Sequence, residues 1–469
     1  MQQNRYDKSN VLVLGIGLSG EWAARLLLSR GCTVTVLDEN DNEELMAAAE
    51  RVCELGGAVR LGKEGLPHEA YDVCVTSPAF ALDHPWIVEC ADRVIPVISE
   101  LELGAHYWRK KILAVTGSKG KSSFVKFCAE TLNRSGISAA PAGNYGVPLC
   151  QLAMEKPALK WAVVEVSSFQ LEHAPTFHPH IAVLLNIQPD HLDRHGSMEE
   201  YRAVKMRMFA NMDMRCANPS KGACLGERDL TLFPADIDVN PAILAQTRCL
   251  RFGNTPDCDW YYVPSAVRIK QASPQLLGVN YLGNYSIAGS WFDNDVLGPA
   301  AAAAVAVLLH AGLVKSAIEE GFRRFEPLEH RMQTLGVDAR GVTWVDDSKA
   351  TSLTALGAAL RMTRKPVRLI AGGVLKENDL NFLKEVLAET TKKVYLIGQC
   401  AEQMADAWAS VVSCEIYGTV ECAVAAAAQE AQCDETVLLS PGTASFDQFS
   451  SYRERGERFT QLARAVAGL

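Results

Sequence analysis

The chain has 469 residues, 48% hydrophobic and 22% charged, with a formal net charge of −9. That length supplies core material for two to four domains. The acidic balance excludes the basic field that nucleic acid or an anionic membrane surface would require, so any anionic ligand must be held by local groups.

The opening "MQQNRYDKSN" is polar and leads straight into a strand, so no leader segment is expected there. "NVLVLGIG" reads as a β-run, "SGEWAARLLLSRG" as a helix closed by Gly31, and "CTVTVLD" as a second strand ending at Asp38. Together they make a βαβ unit. Gly15, Gly17 and Gly20 fit G-x-G-x-x-G, with Asp38 about twenty residues on. Such glycines permit a tight turn and close backbone approach to a pyrophosphate at a helix N-terminus. A ligand-free strand–helix turn uses the same residues, and the pattern does not separate a nicotinamide dinucleotide from another nucleoside diphosphate. "YDVCVTSPAF" is a further strand ending in a Ser-Pro turn, and the first domain is expected to close near residue 105.

A second α/β unit opens at "KILAVTGSKGKSS", with a helix expected from about Lys121 to Gly136. Gly117 and Gly120 let backbone N–H groups converge, Lys121 supplies a cation for β- and γ-phosphates, and Ser122 is within reach of Mg²⁺. An NAD-dependent oxidoreductase built on the first glycine turn would leave this second cradle unexplained. "WAVVEVSS" puts Glu165 at a strand end, where a hard cation needs carboxylate oxygen; a buried ion pair is an equal alternative. "NIQPDHLDRHGSMEEYRAVK" gathers Asp190, His191, Asp193, His195 and Lys205 into sixteen residues. A zinc site is conceivable there, but metalloprotease spacing is missing. A capped helix entry with surface charges accounts for Glu199, Glu200 and Arg202. On its residues alone, Lys205 is a surface lysine of that helix.

From about residue 212 to 290 the pattern weakens, and short runs such as "WYYVP" and "VRI" suggest an irregular β-rich excursion. An Ala-rich helix at about 297–311 follows; it contains His310 and reads as buried rather than membrane-spanning. The third α/β unit comes after "EHRMQTLG", with strands in "VTWVDDS", "VRLIAGG", "KVYLIGQ" and "TVLLSPG". Ligands gather outside the carboxyl ends of parallel strands, which is where Asp347, Lys376 and Ser440 to Ser445 fall. The fourteen cysteines include no Cys-x-x-Cys pair and read as reduced core thiols of a cytosolic protein.

In this order, "VTGSKGKSS", "GNYGVP", "EVSSFQLE", "NIQPDHLDRHGSMEEYRAVK", "EHRM", "DDSKAT" and "LLSPGTASFDQF" resemble the motifs of the Mur ligases, across roughly residues 11 to 460. "SSFQLE" and "SPGTASFDQF" are similar to the glutamate-adding branch. The resemblance implies three α/β domains: a Rossmann-like UDP-substrate domain (1–105), a central P-loop ATPase-like domain (106–326) and a Rossmann-like glutamate domain (327–469). It implies a cytoplasmic, ATP- and Mg²⁺-dependent ligase joining D-glutamate to UDP-N-acetylmuramoyl-L-alanine through an acyl phosphate, in peptidoglycan precursor synthesis. Neither nucleic acid nor membrane is expected as a partner, and the chain is expected to act as a monomer. The first glycine turn would hold UDP rather than NAD, and the second would hold ATP.

Carried over by position, Leu18, Ser19, Asp38, Glu39 and Ser77 would lie near the uridine diphosphate, and Asn144 would face the acceptor. Gly117, Ser118, Lys119, Gly120, Lys121, Ser122 and Ser123 would wrap the ATP phosphates. Ser122, Glu165 and His191 would be metal ligands, joined by Lys205 as a carbamate. Arg331 would approach the phosphates and Asp347 the ribose; Lys121, His191, Lys205 and Arg331 form the catalytic set. Lys349, Thr351, Lys376, Ser445 and Phe446 would hold glutamate, with Tyr452 where Phe is common. Two departures stand out. The phosphate loop reads Ser-Lys-Gly-Lys-Ser-Ser where relatives carry Thr-Asn-Gly-Lys-Ser-Thr. In "GSWFDNDVLGPAA", Trp291 and Phe292 replace a His-Asn pair and Asp295 a second Asn, leaving Asn294 for the purine. The charges do not distinguish D- from L-glutamate, so an L-glutamate-adding enzyme is the alternative.

Overall fold

Strands buried on both faces read as near-continuous apolar runs, and segments such as Val11–Leu14 and Val73–Val75 form the middle of a parallel sheet for that reason. The computed structural model describes residues 5–62, 65–212, 229–240, 247–270, 283–363, 365–376 and 379–469. By contact, the chain forms two compact units: Met1–Ala288 with Gly298–Arg323, and Gly289–Leu297 with Arg324–Leu469.

The first unit carries two sheets. One contains β1 (Asn10–Leu14), β2 (Thr33–Asp38), β3 (Ala58–Leu61), β4 (Val73–Thr76) and β5 (Val97–Ser99) in the order β3-β2-β1-β4-β5, all parallel. The other contains β6 (Lys111–Thr116), β7 (Ala139–Gly143), β8 (Trp161–Glu165), β9 (Ile181–Leu184), β10 (Leu230–Pro234), β11 (Arg248–Gly253), β12 (Trp260–Val263), β13 (Ala266–Ile269) and β14 (Asn284–Ser286). Its order is β14-β13-β12-β11-β10-β9-β6-β8-β7, parallel except for the antiparallel pairs of β13. The stretch expected to be an irregular excursion therefore extends this sheet by five strands. Residues 213–228, 241–246 and 271–282 of that stretch lie outside the described residues.

One apolar core runs through both sheets, from Val11 and Val13 to Leu149 and Val164. Polar ties cross the same seam: Cys150 N–H donates to Glu100 Oε1 at 2.7 Å and Ser99 N–H to His173 O at 2.7 Å. Glu100 is buried, and burial pushes its carboxyl up to about 7.

The second unit holds β15 (Gln333–Val337), β16 (Thr343–Asp346), β17 (Val367–Gly372), β18 (Thr391–Ile397), β19 (Ser413–Gly418) and β20 (Thr436–Leu439), ordered β15-β16-β20-β17-β18-β19. Among the described strands of this sheet, only β15 runs antiparallel to its neighbour. Helices cover both faces, giving separate apolar clusters around Leu369 and Ile370. The described cysteines are mostly buried, although Cys53, Cys422 and Cys433 are exposed.

Candidate active site

β6 is flanked by β8 on one side and β9 on the other, so the chain after β6 emerges at a switch point of the sheet order. There Gly117 and Gly120 take φ of +147° and +84°, conformations that favour glycine. Asn186, just past β9, clamps the loop: its Oδ1 accepts from Ser118 N–H (3.1 Å) and Lys119 N–H (2.9 Å), and its Nδ2 donates to Lys119 O (3.1 Å). The helix Lys121–Arg134 starts at once, with its positive end at the loop. Lys121 Nζ folds back onto Gly117 O (2.8 Å) and Ser118 O (3.1 Å).

Lys205 is not on the surface. It sits on Met198–Met206, a helix capped by Ser197 Oγ, and is 1% exposed. Its Nζ donates to Gly117 O at 3.0 Å and lies over the Tyr201 ring at 4.4 Å. Burial, and next the charge of Lys121, bring its pKa down to about 7. Glu165, buried at the end of β8, accepts from Asn144 Nδ2 at 2.7 Å through Oε1. Among the described residues, its Oε2 is buried with no hydrogen-bond partner. A carboxylate oxygen left unpaired beside a phosphate loop fits a hard divalent cation.

His191 adopts φ +54°, rare for a side chain of this size, and its imidazole is half exposed. Asp190 beside it accepts from Lys119 Nζ at 3.2 Å, so the extra charge in the loop is matched by a local carboxylate.

On the first sheet, Leu18, Ser19, Asp38, Glu39 and Ser77 all fall at the carboxyl ends of β1, β2 and β4. Asp38 Oδ2 accepts from Ile16 N–H at 2.8 Å and shapes the glycine turn from beneath. Gly20 is required for packing, since a Cβ there would fall 1.7 Å from Gly15 O.

In the second unit, Asp347 follows β16, accepts from Ser440 Oγ (2.8 Å) and Met332 N–H (3.0 Å), and is pushed up to about 7 by burial. Arg331 Nε is buried without a partner among the described residues. Lys349 Nζ lies 5.0 Å over the Tyr452 ring; Thr351 is half-buried, Ser445 buried, and Lys376 and Phe446 exposed. Asn294 spends its amide locally: Nδ2 donates to Trp291 O, and Oδ1 accepts from Val296 and Leu297 N–H. Phe292 is buried against Phe325.

Three residues escaped the sequence reading. Besides Asn186, Arg194 and Arg455 are buried or nearly so. Arg455 is 1% exposed and donates to Ser348 O and Oγ, Thr443 O and Ala444 O, fixing two loops at the carboxyl ends of β16 and β20. A motif offers no signal for such an arginine, whose partners are mostly backbone atoms on two separate loops, one of them 107 residues away in sequence.

A phosphate loop backed by a buried lysine and a half-paired carboxylate, at a switch point of a parallel sheet, defines a nucleoside-triphosphate site. Family models describe the same regions as a Mur ligase middle domain, over residues 115–217, and a Mur ligase glutamate ligase domain, over residues 330–442. The chain is 35% identical to the UDP-N-acetylmuramoylalanine–D-glutamate ligase of Acidobacterium capsulatum, covering 98% of this chain and 96% of that one. It is 34% identical to the protein of the same name from Koribacter versatilis, covering 97% of each. Among solved structures, the fold is similar to Thermotoga maritima UDP-N-acetylmuramate-alanine ligase (TM-score 0.57, 16% identity, 97% and 99% covered). It is also similar to the MurF ligase of that organism (TM-score 0.58, 15% identity, 93% and 95% covered). The chain belongs to the Mur ligase family, the ATP-dependent amide-forming ligases of peptidoglycan precursor synthesis.

Proposed function

We propose that the chain joins D-glutamate to the alanyl carboxylate of UDP-N-acetylmuramoyl-L-alanine through an acyl phosphate. The names of its relatives support the substrate pair, and one observation supports the chemistry: a buried lysine amine, its pKa lowered to about 7, meets the phosphate loop beside a carboxylate oxygen unpaired among the described residues. The division into domains at residues 105 and 326 belongs to the same reading, as does action as a cytoplasmic monomer. No helix among the described residues is long and apolar enough to cross a membrane.

A carboxylate is a poor acylating agent because its leaving group would be oxide. The alanyl oxygen attacks the γ-phosphorus and ADP leaves; the glutamate amine then attacks the acyl carbon and phosphate leaves. Phosphoryl transfer asks the protein chiefly for positioning and charge neutralisation. Lys121, released from Gly117 O, serves the β- and γ-oxygens; Gly117 to Ser123 wrap the phosphates in a loop whose Ser118 and Lys119 N–H groups are held by Asn186. Arg331 serves the phosphates and Asp347 the ribose. Ser122, Glu165, His191 and a carbamate on Lys205 would hold Mg²⁺, which supplies further neutralisation of the transferring group. The Lys205 amine adds CO₂ and loses a proton, turning a cation into an anionic oxygen ligand. Leu18, Ser19, Glu39 and Ser77 line the uridine side, with Asp38 holding the turn. Asn144 faces the acceptor, and Lys349, Thr351, Lys376, Ser445 and Phe446 take glutamate.

The test is phosphate release from ATP. It should require both the UDP-muramoyl acceptor and D-glutamate, and be indifferent to NAD. Equal or better turnover with L-glutamate would overturn the stereochemical assignment; release without the acceptor would overturn the reaction.

A further inference from the structure

Arg194 lies three residues beyond His191, and its side chain is 15% exposed. Its guanidinium donates through Nη1 to Pro78 O at 2.8 Å and through Nη2 to Phe80 O at 2.9 Å. Nη2 also meets Glu172 Oε2 at 2.5 Å. The turn it grips directly follows Ser77, whose Oγ packs so close to Gly15 that a Cβ there would sit at 2.6 Å. Arg194 therefore reaches the wall of the first glycine turn.

Its other face rests on the Phe169 ring, with the guanidinium carbon 4.1 Å from the centroid. The same ring meets the His191 imidazole edge-on at 4.9 Å and stacks on His195 at 5.4 Å. Phe169 comes from the helix Ser168–Leu171, which carries the chain away from Glu165. One planar cation is thus bonded to the acceptor-side turn and stacked on the ring that bounds His191. The planar fork matches two carbonyls on one edge and leaves a flat face to stack, which a lysine could not do.

We propose that Arg194 is a positioning residue that couples the turn Ser77–Phe80 to His191, so that filling the uridine side fixes the imidazole. This rests on the assignment of the UDP substrate to the first sheet. A mere packing strap would stabilise the fold without transmitting occupancy.

The experiment uses the full chain with UDP as probe, following amide hydrogen exchange and then steady-state kinetics. In the wild type, UDP should slow exchange at residues 15–19 and, at least fivefold, at residues 190–195. In Arg194→Ala the first protection should remain and the second should vanish. Its kcat should fall tenfold or more and its acceptor KM should rise, with glutamate KM within twofold. Arg194→Lys should fail to restore transmission. Transmission within twofold of wild type in a folded Arg194→Ala overturns the proposal, and so does uniform loss of UDP and ATP binding, which marks a structural role. If Arg194→Ala does not fold, Phe169→Leu decides: it keeps the carbonyl bonds and removes the ring, and normal transmission in it overturns the proposal. Absence of UDP protection anywhere in the wild type would instead overturn the substrate assignment, and this inference with it.

Discussion

Gly117 O accepts from two lysines, Lys121 Nζ at 2.8 Å and Lys205 Nζ at 3.0 Å. Burial, and then the neighbouring Lys121 charge, make the buried Lys205 amine the easier to deprotonate, with its pKa brought down to about 7. Lys121 stays at a helix start where phosphate oxygens can replace the carbonyl.

Lys205 carries the first prediction. As a carbamate it is not replaceable by a permanent cation, so Lys205→Arg should be nearly as inactive as Lys205→Ala. Turnover within a few-fold of wild type in the Arg variant, with ATP binding intact, would rule the carbamate out. Stability should move the other way. The folded pKa of about 7 lies below the free-lysine value, so charging the buried amine costs stability. The cost is absent above about pH 10.4 and fully present below about 7. Lys205→Met, which keeps most of the volume, should stabilise the substrate-free protein at pH 6 by a few kcal/mol, since each tenfold loss of proton affinity on folding costs about 1.4 kcal/mol. It should change little at pH 10.5; denaturant midpoints at the two pH values check this.

Lys121→Ala should abolish ATP turnover while leaving the affinity for the UDP acceptor within about twofold, because the two glycine turns follow strands of different sheets. Titration calorimetry with the acceptor alone reads this directly. Loss of acceptor binding in a folded variant would contradict two separate cradles.

Among the described residues, Lys376 is exposed. A charge-assisted bond to a substrate carboxylate is worth roughly 1.5–3 kcal/mol. Lys376→Ala should therefore raise the glutamate KM about ten- to a hundredfold and leave the ATP KM near wild type. An unchanged glutamate response moves the amino-acid site elsewhere.

The altered 289–295 segment bears on base choice. Phe292 is packed away and the Asn294 amide is bonded to its own turn. With neither offering donors to a purine, discrimination against guanine should be weak, and GTP should support measurable ligation. Strict ATP dependence would assign the readout to backbone groups.

The loop at Gly117 was legible because its meaning is local: glycines, a lysine and a helix start within seven residues. Lys205 was not legible from its own helix, where Glu199, Glu200 and Arg202 suggest solvent on every side; only the motif order singled it out. The strands β10 to β14 were hidden for a different reason. β11 alternates buried and half-buried positions and places Arg248 among the buried ones, so its apolar signal is diluted. Asn186, Arg194 and Arg455 were invisible because their partners are largely backbone atoms distant in sequence, and no periodicity encodes such contacts.

The order in which the units use the chain has a consequence for synthesis on the ribosome. The first unit is not finished at Ala288: it takes back Gly298–Arg323, whose Ala-rich helix Gly298–His310 covers β11 to β13. The nine intervening residues belong to the second unit, where Trp291 and Phe292 meet Phe325. A nascent chain halted before His310 has emerged would leave β11 to β13 uncovered, with Trp291 and Phe292 present before Phe325 has been made. Fragments cut at 288 should therefore aggregate, while cuts after Arg323 should release a first unit able to refold alone.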